Sequence, residues 1–247
     1  MLSAGDDYLV LNFAHRGSLT EAPENTLPAF QKAIEHGAKA IELDVQLTKD
    51  QQLIVCHDHK LTRFNKQSTK RIKDMTLAET KEIDVSGSFQ EYEGTTLATL
   101  SQVLEICPND LLINIEIKNI PVIYEGIEEM LIQCLSDHNR FHDVIISSFD
   151  HMALKNVQDI APSMPIGMLF YYRILQPWKY AKQSGLVVTS IHPNQVYTDR
   201  ELVEQCKSFG YKVFPYTVND EEHYEKLVEY GVDGVFSNNP GVFGRSK

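Results

Sequence analysis

Two carboxylates set two residues apart are the first place to look for chemistry: Glu42 and Asp44, in the run Ala40-Ile41-Glu42-Leu43-Asp44-Val45. The surrounding apolar residues read as a strand. Strand side chains alternate, so Ile41, Leu43 and Val45 turn one way and both acids turn the other. The same arithmetic recurs at Ile113-Asn114-Ile115-Glu116-Ile117-Lys118, where Asn114, Glu116 and Lys118 share the face opposite three isoleucines. Carboxylates gathered inside a fold repel one another and lose hydration, so they need a compensating cation. Neutralisation by Arg or Lys, including a self-contained Glu116–Lys118 pair, is the purely structural answer. Repetition on two strands favours a metal site instead. Three carboxylates with no cysteine form a hard oxygen set, suited to one divalent cation, Mg2+ or Ca2+, rather than zinc.

Two histidines accompany the acids. The segment Leu53-Ile54-Val55-Cys56-His57-Asp58 begins only four residues after Leu47-Thr48, whereas a parallel crossover needs about ten or more. It is therefore expected to return as an antiparallel hairpin with its tip at Lys49-Asp50. A two-residue turn pairs Glu42 with His57, and a four-residue turn pairs Asp44 with His57. Either register puts His57 on the carboxylate face. Phe13-Ala14-His15-Arg16-Gly17 ends an earlier apolar run, so His15 and Arg16 stand at its rim and Gly17 permits a sharp turn or close backbone approach. Glu24-Asn25-Thr26 precedes a helical stretch, with Asn25 as the expected N-cap and Glu24 as a first-turn charge. Imidazoles flanking three carboxylates, with basic side chains nearby, suit phosphoryl chemistry. Metal and basic groups stabilise charge on phosphate oxygens, and histidines serve as base and acid near neutral pH.

These residues need a scaffold that points them inward together. Short apolar runs at 8–14, 40–47, 111–118, 144–149, 165–170, 186–192, 212–218 and 234–237 are expected strands of the kind buried on both faces. Amphipathic stretches at 26–36, 97–106, 124–138, 151–160, 178–183, 199–209 and 221–230 separate them. Gly37, Gly210 and Gly231 follow three of these stretches, where a left-handed residue closes the last turn, and Asp220 is a plausible N-cap. Regular strand–helix alternation implies a parallel sheet with right-handed crossovers. About eight such strands favour a closed α/β barrel, (β/α)8, over an open sheet, and the length of 247 residues suits one domain of that kind. The carboxyl ends of barrel strands are where such folds assemble their sites. No G-x-G-x-x-G loop follows the first strand, which weakens a nucleotide-binding alternative. Residues 61–96 break the rhythm: polar, with a short helix expected near 77–82, they read as a small insertion from one end of the barrel and not a second core.

Composition narrows the partners. The net charge of −11 disfavours nucleic acid and anionic lipid surfaces. Cysteines at 56, 107, 134 and 206 lack C-x-x-C spacing and read as buried free thiols. Residues 1–8 show neither a basic nor a long apolar leader, and no apolar run approaches the roughly 20 residues that span a bilayer. A cytoplasmic protein with no stable membrane insertion is expected.

Taken together, His15-Arg16-Gly17, Glu24-Asn25-Thr26, Glu42-x-Asp44, His57-Asp58 and Glu116-x-Lys118 resemble the signature of the glycerophosphodiester phosphodiesterase family. Ser147-Ser148-Phe149-Asp150, Tyr216-Thr217-Val218-Asn219 and Gly231-Val232-Asp233-Gly234-Val235 resemble its later strands, so the likeness runs along nearly the whole chain in order. The resemblance implies a TIM barrel that hydrolyses glycerophosphodiesters to glycerol 3-phosphate and an alcohol, a role in lipid and glycerol metabolism. It implies a divalent metal on Glu42, Asp44 and Glu116, acid–base catalysis by His15 and His57, and phosphate contacts from Arg16 and Lys118. Phe149 and Tyr216 are expected to line the substrate pocket, Tyr216 standing where the family often has Trp. An acid is common in the family near Asn238. The remaining histidines are expected to be structural, His192 at a strand end being the strongest exception. Rival readings are a related barrel phospholipase acting on intact lipid, which the net charge of −11 and the expected lack of an exposed apolar run disfavour, and a noncatalytic phosphodiester-binding protein.

Overall fold

Burial of alternate faces decides the architecture seen in the computed structural model, which describes residues 10–241 and 243. Tyr8 and Leu9 of the first expected strand, and the 1–8 segment read for a leader, lie outside the described residues. Nine strands form: β1 (Leu11–His15), β2 (Ala40–Leu47), β3 (Leu53–Val55), β4 (Leu112–Ile117), β5 (Val144–Ser148), β6 (Ile166–Phe170), β7 (Val188–Pro193), β8 (Lys212–Val213) and β9 (Gly234–Ser237). All but β3 are parallel and run in the order β8-β7-β6-β5-β4-β2-β1-β9. Asp233 N–H donates to the Val213 carbonyl (3.0 Å), Phe236 N–H to Pro215 (3.0 Å) and Val218 N–H to Phe236 (2.8 Å), joining the two ends into a barrel.

The outward residues of β2 and β4, Ile41, Leu43, Val45, Ile113, Ile115 and Ile117, are buried against the helix layer. That layer comprises α1 (Leu27–Glu35), α2 (Leu77–Thr80), α3 (Leu100–Ile106), α4 (Ile127–Asp137), α5 (His151–Ile160), α6 (Pro177–Gln183), α7 (Arg200–Ser208) and α8 (Glu221–Tyr230). Their starts follow capping chemistry: Asp150, Asp199 and Asp220 each accept a backbone N–H of the first turn. Inside the barrel, Phe13, Phe214 and Phe236 stack 4.7–5.1 Å apart near its lower layers. The polar layers lie above them.

Four local expectations are corrected. The strand expected at 212–218 ladders only over Lys212–Val213, because Pro215 has no N–H to donate. Phe214 and Tyr216 still donate to Ile191 and Pro193 (3.0 and 3.1 Å), so the chain keeps pace with β7. The N-cap of α1 is Thr26, not Asn25. Residues 61–96 do bury a small apolar cluster, Leu61, Ile72, Met75, Ile83 and Val85, seated on Ile54 and Cys56 of the β2–β3 hairpin. Finally, that hairpin pairs Val45 with Val55 and Leu47 with Leu53. Its turn closes with Gln51 N–H donating to Thr48 and Thr48 N–H to Gln52 (both 3.0 Å). The turn thus holds three residues, Lys49 to Gln51, with Gln51 left-handed at φ 58°, and neither expected register occurs.

Candidate active site

Parallel register places the polar side chains in layers. His15 lies beside Glu42 and Glu42 beside Asn114; one layer up, Asp44 lies beside Glu116 and Glu116 beside Ser147. Residues in register on parallel strands share a face, so these side chains converge. Carboxylate oxygens of Glu42, Asp44 and Glu116 all lie within 4.8 Å of one another, the one such grouping among the described residues. All three are buried.

Two cations touch this cluster. Lys118 Nζ donates to Glu116 Oε1 (2.7 Å) and lies 3.6 Å from Asp44 Oδ1. Arg16 Nε lies 3.4 Å from Asp44 Oδ2. An ion-pair explanation and a metal explanation therefore both have geometric support, and charge counting separates them. The connected carboxylates are Glu24, Glu42, Asp44, Asp58 and Glu116; the cations are Arg16, Arg63 and Lys118. Two negative charges remain in excess. Glu42 carries the imbalance: its carboxylate accepts only the Arg16 backbone N–H (3.0 Å), and the nearest basic side chain is the neutral-capable His15 ring at 3.9 Å. Burial, then the charges of Asp44 and Glu116, push the Glu42 carboxyl well above its ordinary range. Burial likewise raises Glu116 against the pull of Lys118. For Asp44 burial acts upward, yet Lys118 and Arg16 outweigh it and hold the group low. A buried oxygen trio at the centre of a network two positive charges short fits a divalent cation with oxygen ligands.

The histidines close the site from two sides. Asn238 Oδ1, at the end of β9, accepts from His15 Nδ1 (2.7 Å), which leaves Nε2 bare. Burial foremost, and then Arg16, lower the His15 pKa to about 4. His57 Nδ1 donates to Asp58 Oδ1 (2.8 Å). The observed register would set His57 opposite Leu43, with the outward residues. Pairing with β2 ends on the Cys56 N–H bond to the Asp44 carbonyl (2.9 Å), however, and past it the His57 ring returns to the cavity. Backbone placement of the first loop is tightly specified. Arg16 and Asn25 both have φ 57°, held by Arg16 N–H to the Glu42 carbonyl and Asn25 N–H to the Arg16 carbonyl (both 2.9 Å). At Gly17, φ is +91° and a Cβ would fall 2.7 Å from Ala29, so α1 packs directly on this turn.

Together these groups line a cavity of about 340 Å³ that includes His15, Arg16, Glu42, His57, Asn114, Glu116, Lys118, Phe149 and Tyr216. Asp44, in the same layer as Glu116, touches the cluster without lining the cavity. Phe149 and Tyr216 meet edge to face at 5.7 Å, and the Tyr216 hydroxyl is tethered to the Phe170 carbonyl (2.9 Å). The structure thus gathers every sequence-predicted site residue. It also adds several. Asn25 donates to Asp44 Oδ2 (2.9 Å), and Glu24 pairs with Arg16 and Arg63 instead of serving as a first-turn charge. Asn114, Ser147, Tyr171 and Thr217 line the cavity, and Asn114 Oδ1 is buried without a partner. Inward alternation already marked Asn114; Ser147 stood out only through the family resemblance, and Tyr171 and Asn238 carried no local signal. His192 is fully buried on Ser190 (2.7 Å) and does not line the cavity. An exposed group of apolar side chains does exist, contrary to the sequence expectation: Tyr171, which lines the cavity, and Tyr172 and Leu175, which follow it in the chain and line a neighbouring pocket, are 60%, 74% and 89% exposed. No helix among the described residues is long and apolar enough to cross a membrane.

Sequence comparison finds the glycerophosphoryl diester phosphodiesterase family profile matched over residues 15–242. A glycerophosphodiester phosphodiesterase of Caldanaerobacter subterraneus subsp. tengcongensis is 43% identical, with 93% of this chain and 94% of that protein covered. One from Bacillus altitudinis is 38% identical over 92% and 94%. The solved structure of an Oleispira antarctica phosphodiesterase, in complex with the product sn-glycerol-3-phosphate, superposes with a TM-score of 0.85 at 33% identity, covering 95% of each chain. With barrel, polar layers and sequence in agreement, the chain belongs to the glycerophosphoryl diester phosphodiesterase family.

Proposed function

We propose that this glycerophosphodiester phosphodiesterase is metal-dependent and uses His15 and His57 as its acid–base pair. The carrying observation is the excess of two negative charges in the ion-pair network built around a buried carboxylate trio, which stands between two imidazoles whose Nδ1 atoms are already engaged. Glu42, Asp44 and Glu116 hold the cation, Mg2+ or Ca2+ by their oxygen chemistry. A cation there supplies Lewis-acid polarisation of a nonbridging phosphate oxygen. Arg16 and Lys118 bind the phosphate, Phe149 and Tyr216 form the pocket wall, and the unpartnered Asn114 Oδ1 accepts from a substrate hydroxyl.

The bare His15 Nε2 takes the proton of the attacking hydroxyl as its oxygen bonds to phosphorus. His57 enters this step as an imidazolium, Nδ1–H on Asp58 and a second proton, taken from solvent, on Nε2; as the ester P–O bond breaks, the Nε2 proton passes to the departing alkoxide. Asn238 and Asp58 fix each ring so that Nε2 faces the reaction, the arrangement general acid–base transfer requires. The attacking oxygen belongs to water or to the adjacent glycerol hydroxyl; incorporation of labelled oxygen into glycerol 3-phosphate in one step, or a cyclic phosphate, separates the two. All four cysteines are free and three of them are buried, which fits a reducing, cytoplasmic setting.

The test is glycerol 3-phosphate release across several head groups, after EDTA and after Mg2+ or Ca2+ is restored. Activity should vanish and return, and His15→Ala or His57→Ala should lower turnover about 100-fold to 10,000-fold. Full turnover in EDTA sinks the metal assignment; unchanged turnover in either variant sinks that histidine's role. A second reading has one observation in its favour. The exposed Tyr171, Tyr172 and Leu175 beside the cavity could receive an acyl chain, making a single-chain lysolipid diester a further substrate.

A further inference from the structure

Arg63 lies in the first turn (Leu61–Arg63) of the insertion, away from the cavity lining, yet it makes three hydrogen bonds toward the site. Nη1 and Nη2 donate to the two oxygens of Glu24 (2.8 and 2.7 Å), and Nε donates to Asp58 Oδ2 (2.8 Å). Each of these carboxylates has its other business with a site residue. Glu24 Oε1 accepts from Arg16 Nη1 (3.1 Å), and Asp58 Oδ1 accepts from His57 Nδ1 (2.8 Å). One guanidinium therefore ties together the supports of the phosphate-binding arginine and of the proton-transferring histidine, which come from separate loops.

The anchor of Arg63 is rigid. Leu61, two residues earlier, is fully buried in the insertion's apolar cluster. Cys56, next to His57, belongs to the same cluster, and Gln46 Nε2 holds the carbonyls of Cys56 and Asp58 (2.6 and 3.1 Å). A planar fork is needed for this geometry: two parallel bonds to one carboxylate and a third to another cannot be made by an ammonium. All three of its nitrogens are engaged with two carboxylates that each orient a site residue, a pattern that a half-exposed side chain with only a surface role would not need.

We infer that Arg63 is a positioning residue for the reaction, and that the insertion serves as a clamp fixing His57 and Arg16 as well as bordering the entrance. The inference rests on the proposed roles of those two residues. Without Arg63, Asp58 loses its second partner and the His57 ring loses its fixed tautomer, while Glu24 no longer holds Arg16 from behind. Loss of outer support of this kind costs about 10–100-fold in activity at comparable sites.

Steady-state kinetics and 15N NMR of the histidine rings, on full-length metal-loaded Arg63→Gln and Arg63→Lys proteins, test the idea against wild type. The expected result is a fall of about 10–100-fold in kcat with a smaller rise in KM, failure of Lys to restore it, and, in samples held alkaline enough for the ring to be neutral, His57 nitrogen shifts that move from a single Nδ1–H tautomer toward an average of two. Far-UV circular dichroism and melting of each variant identify any global loss of fold, and Asp58→Asn supplies a second route. Combined with Arg63→Gln, it should cost less than the product of the two separate losses. Wild-type kcat and unmoved His57 shifts in folded Arg63→Gln would overturn the clamp, as would full recovery with Lys or strictly multiplicative losses. An indifferent His57→Ala would instead overturn the acid–base reading beneath it.

Discussion

Consider the replacement Glu42→Gln in protein stripped of divalent ions. The three carboxylates approach within 4.8 Å, and two unit charges at that distance repel by about 3.5 kcal/mol at an effective dielectric near 20. Lys118 and Arg16 pair with Glu116 and Asp44, but no Lys or Arg side chain among the described residues pairs directly with Glu42, which Arg16 relieves only from a distance. Gln keeps the shape and the acceptor for the Arg16 N–H while removing the charge. Apo Glu42→Gln should therefore melt a few degrees above apo wild type, an inversion of the usual outcome for a buried polar substitution. A cation at 100 times its Kd adds about 2.7 kcal/mol to the wild type, a rise of roughly 5–11 °C for a domain of this size, and much less to the variant. The pH dependence has a definite sign. Glu42 and Glu116 are raised by folding, so each contributes stability fully present below its ordinary value of 4.5 and lost as pH climbs through its folded value. Asp44 is lowered, and its contribution, present above 3.8, disappears as pH falls. Apo wild type should thus lose stability as pH rises from 4.5, and Glu42→Gln should lose less. Differential scanning calorimetry in EDTA, Mg2+ and Ca2+ across that range measures all of this. An apo variant that melts below apo wild type, together with equal cation shifts in both, would refute the charge-deficit reasoning.

Other perturbations reach different parts of the site. Gly17→Ala sets a Cβ 2.7 Å from Ala29 at φ +91°; overpacking and left-handed strain should together destabilise the fold by about 2–4 kcal/mol, and a denaturant midpoint equal to wild type would show that α1 yields there. Asn238→Ala removes the acceptor of His15 Nδ1 and should lower kcat by about 10–100-fold with KM nearly unchanged; a pure KM effect would place Asn238 in substrate binding instead. If the exposed rim receives acyl chains, Leu175→Glu, at a position 89% exposed, should depress turnover of a lysolipid diester while sparing glycerophosphocholine. Equal effects on both substrates would dismiss the second reading.

Local periodicity in the chain determined the barrel and much of its chemistry. Alternation at Ile41–Val45 and Ile113–Lys118 already fixed which acids point inward, because the side-chain period of a strand is a property of the backbone and needs no partner. The regular succession of buried strands and helices fixed the architecture for the same reason. Tertiary structure alone decided what depended on distance in space. His15 meets Asn238 across 223 residues of sequence, and Asn25, which locally resembles a cap, turns left-handed to serve Asp44. The path of His57 followed from a three-residue turn and from where the ladder stopped, both settled by packing of the insertion on Ile54 and Cys56. The reach of Arg63 to two loops at once is likewise invisible to any period in the sequence, since hydrogen bonds between segments are chosen by how the segments dock and not by spacing along the chain.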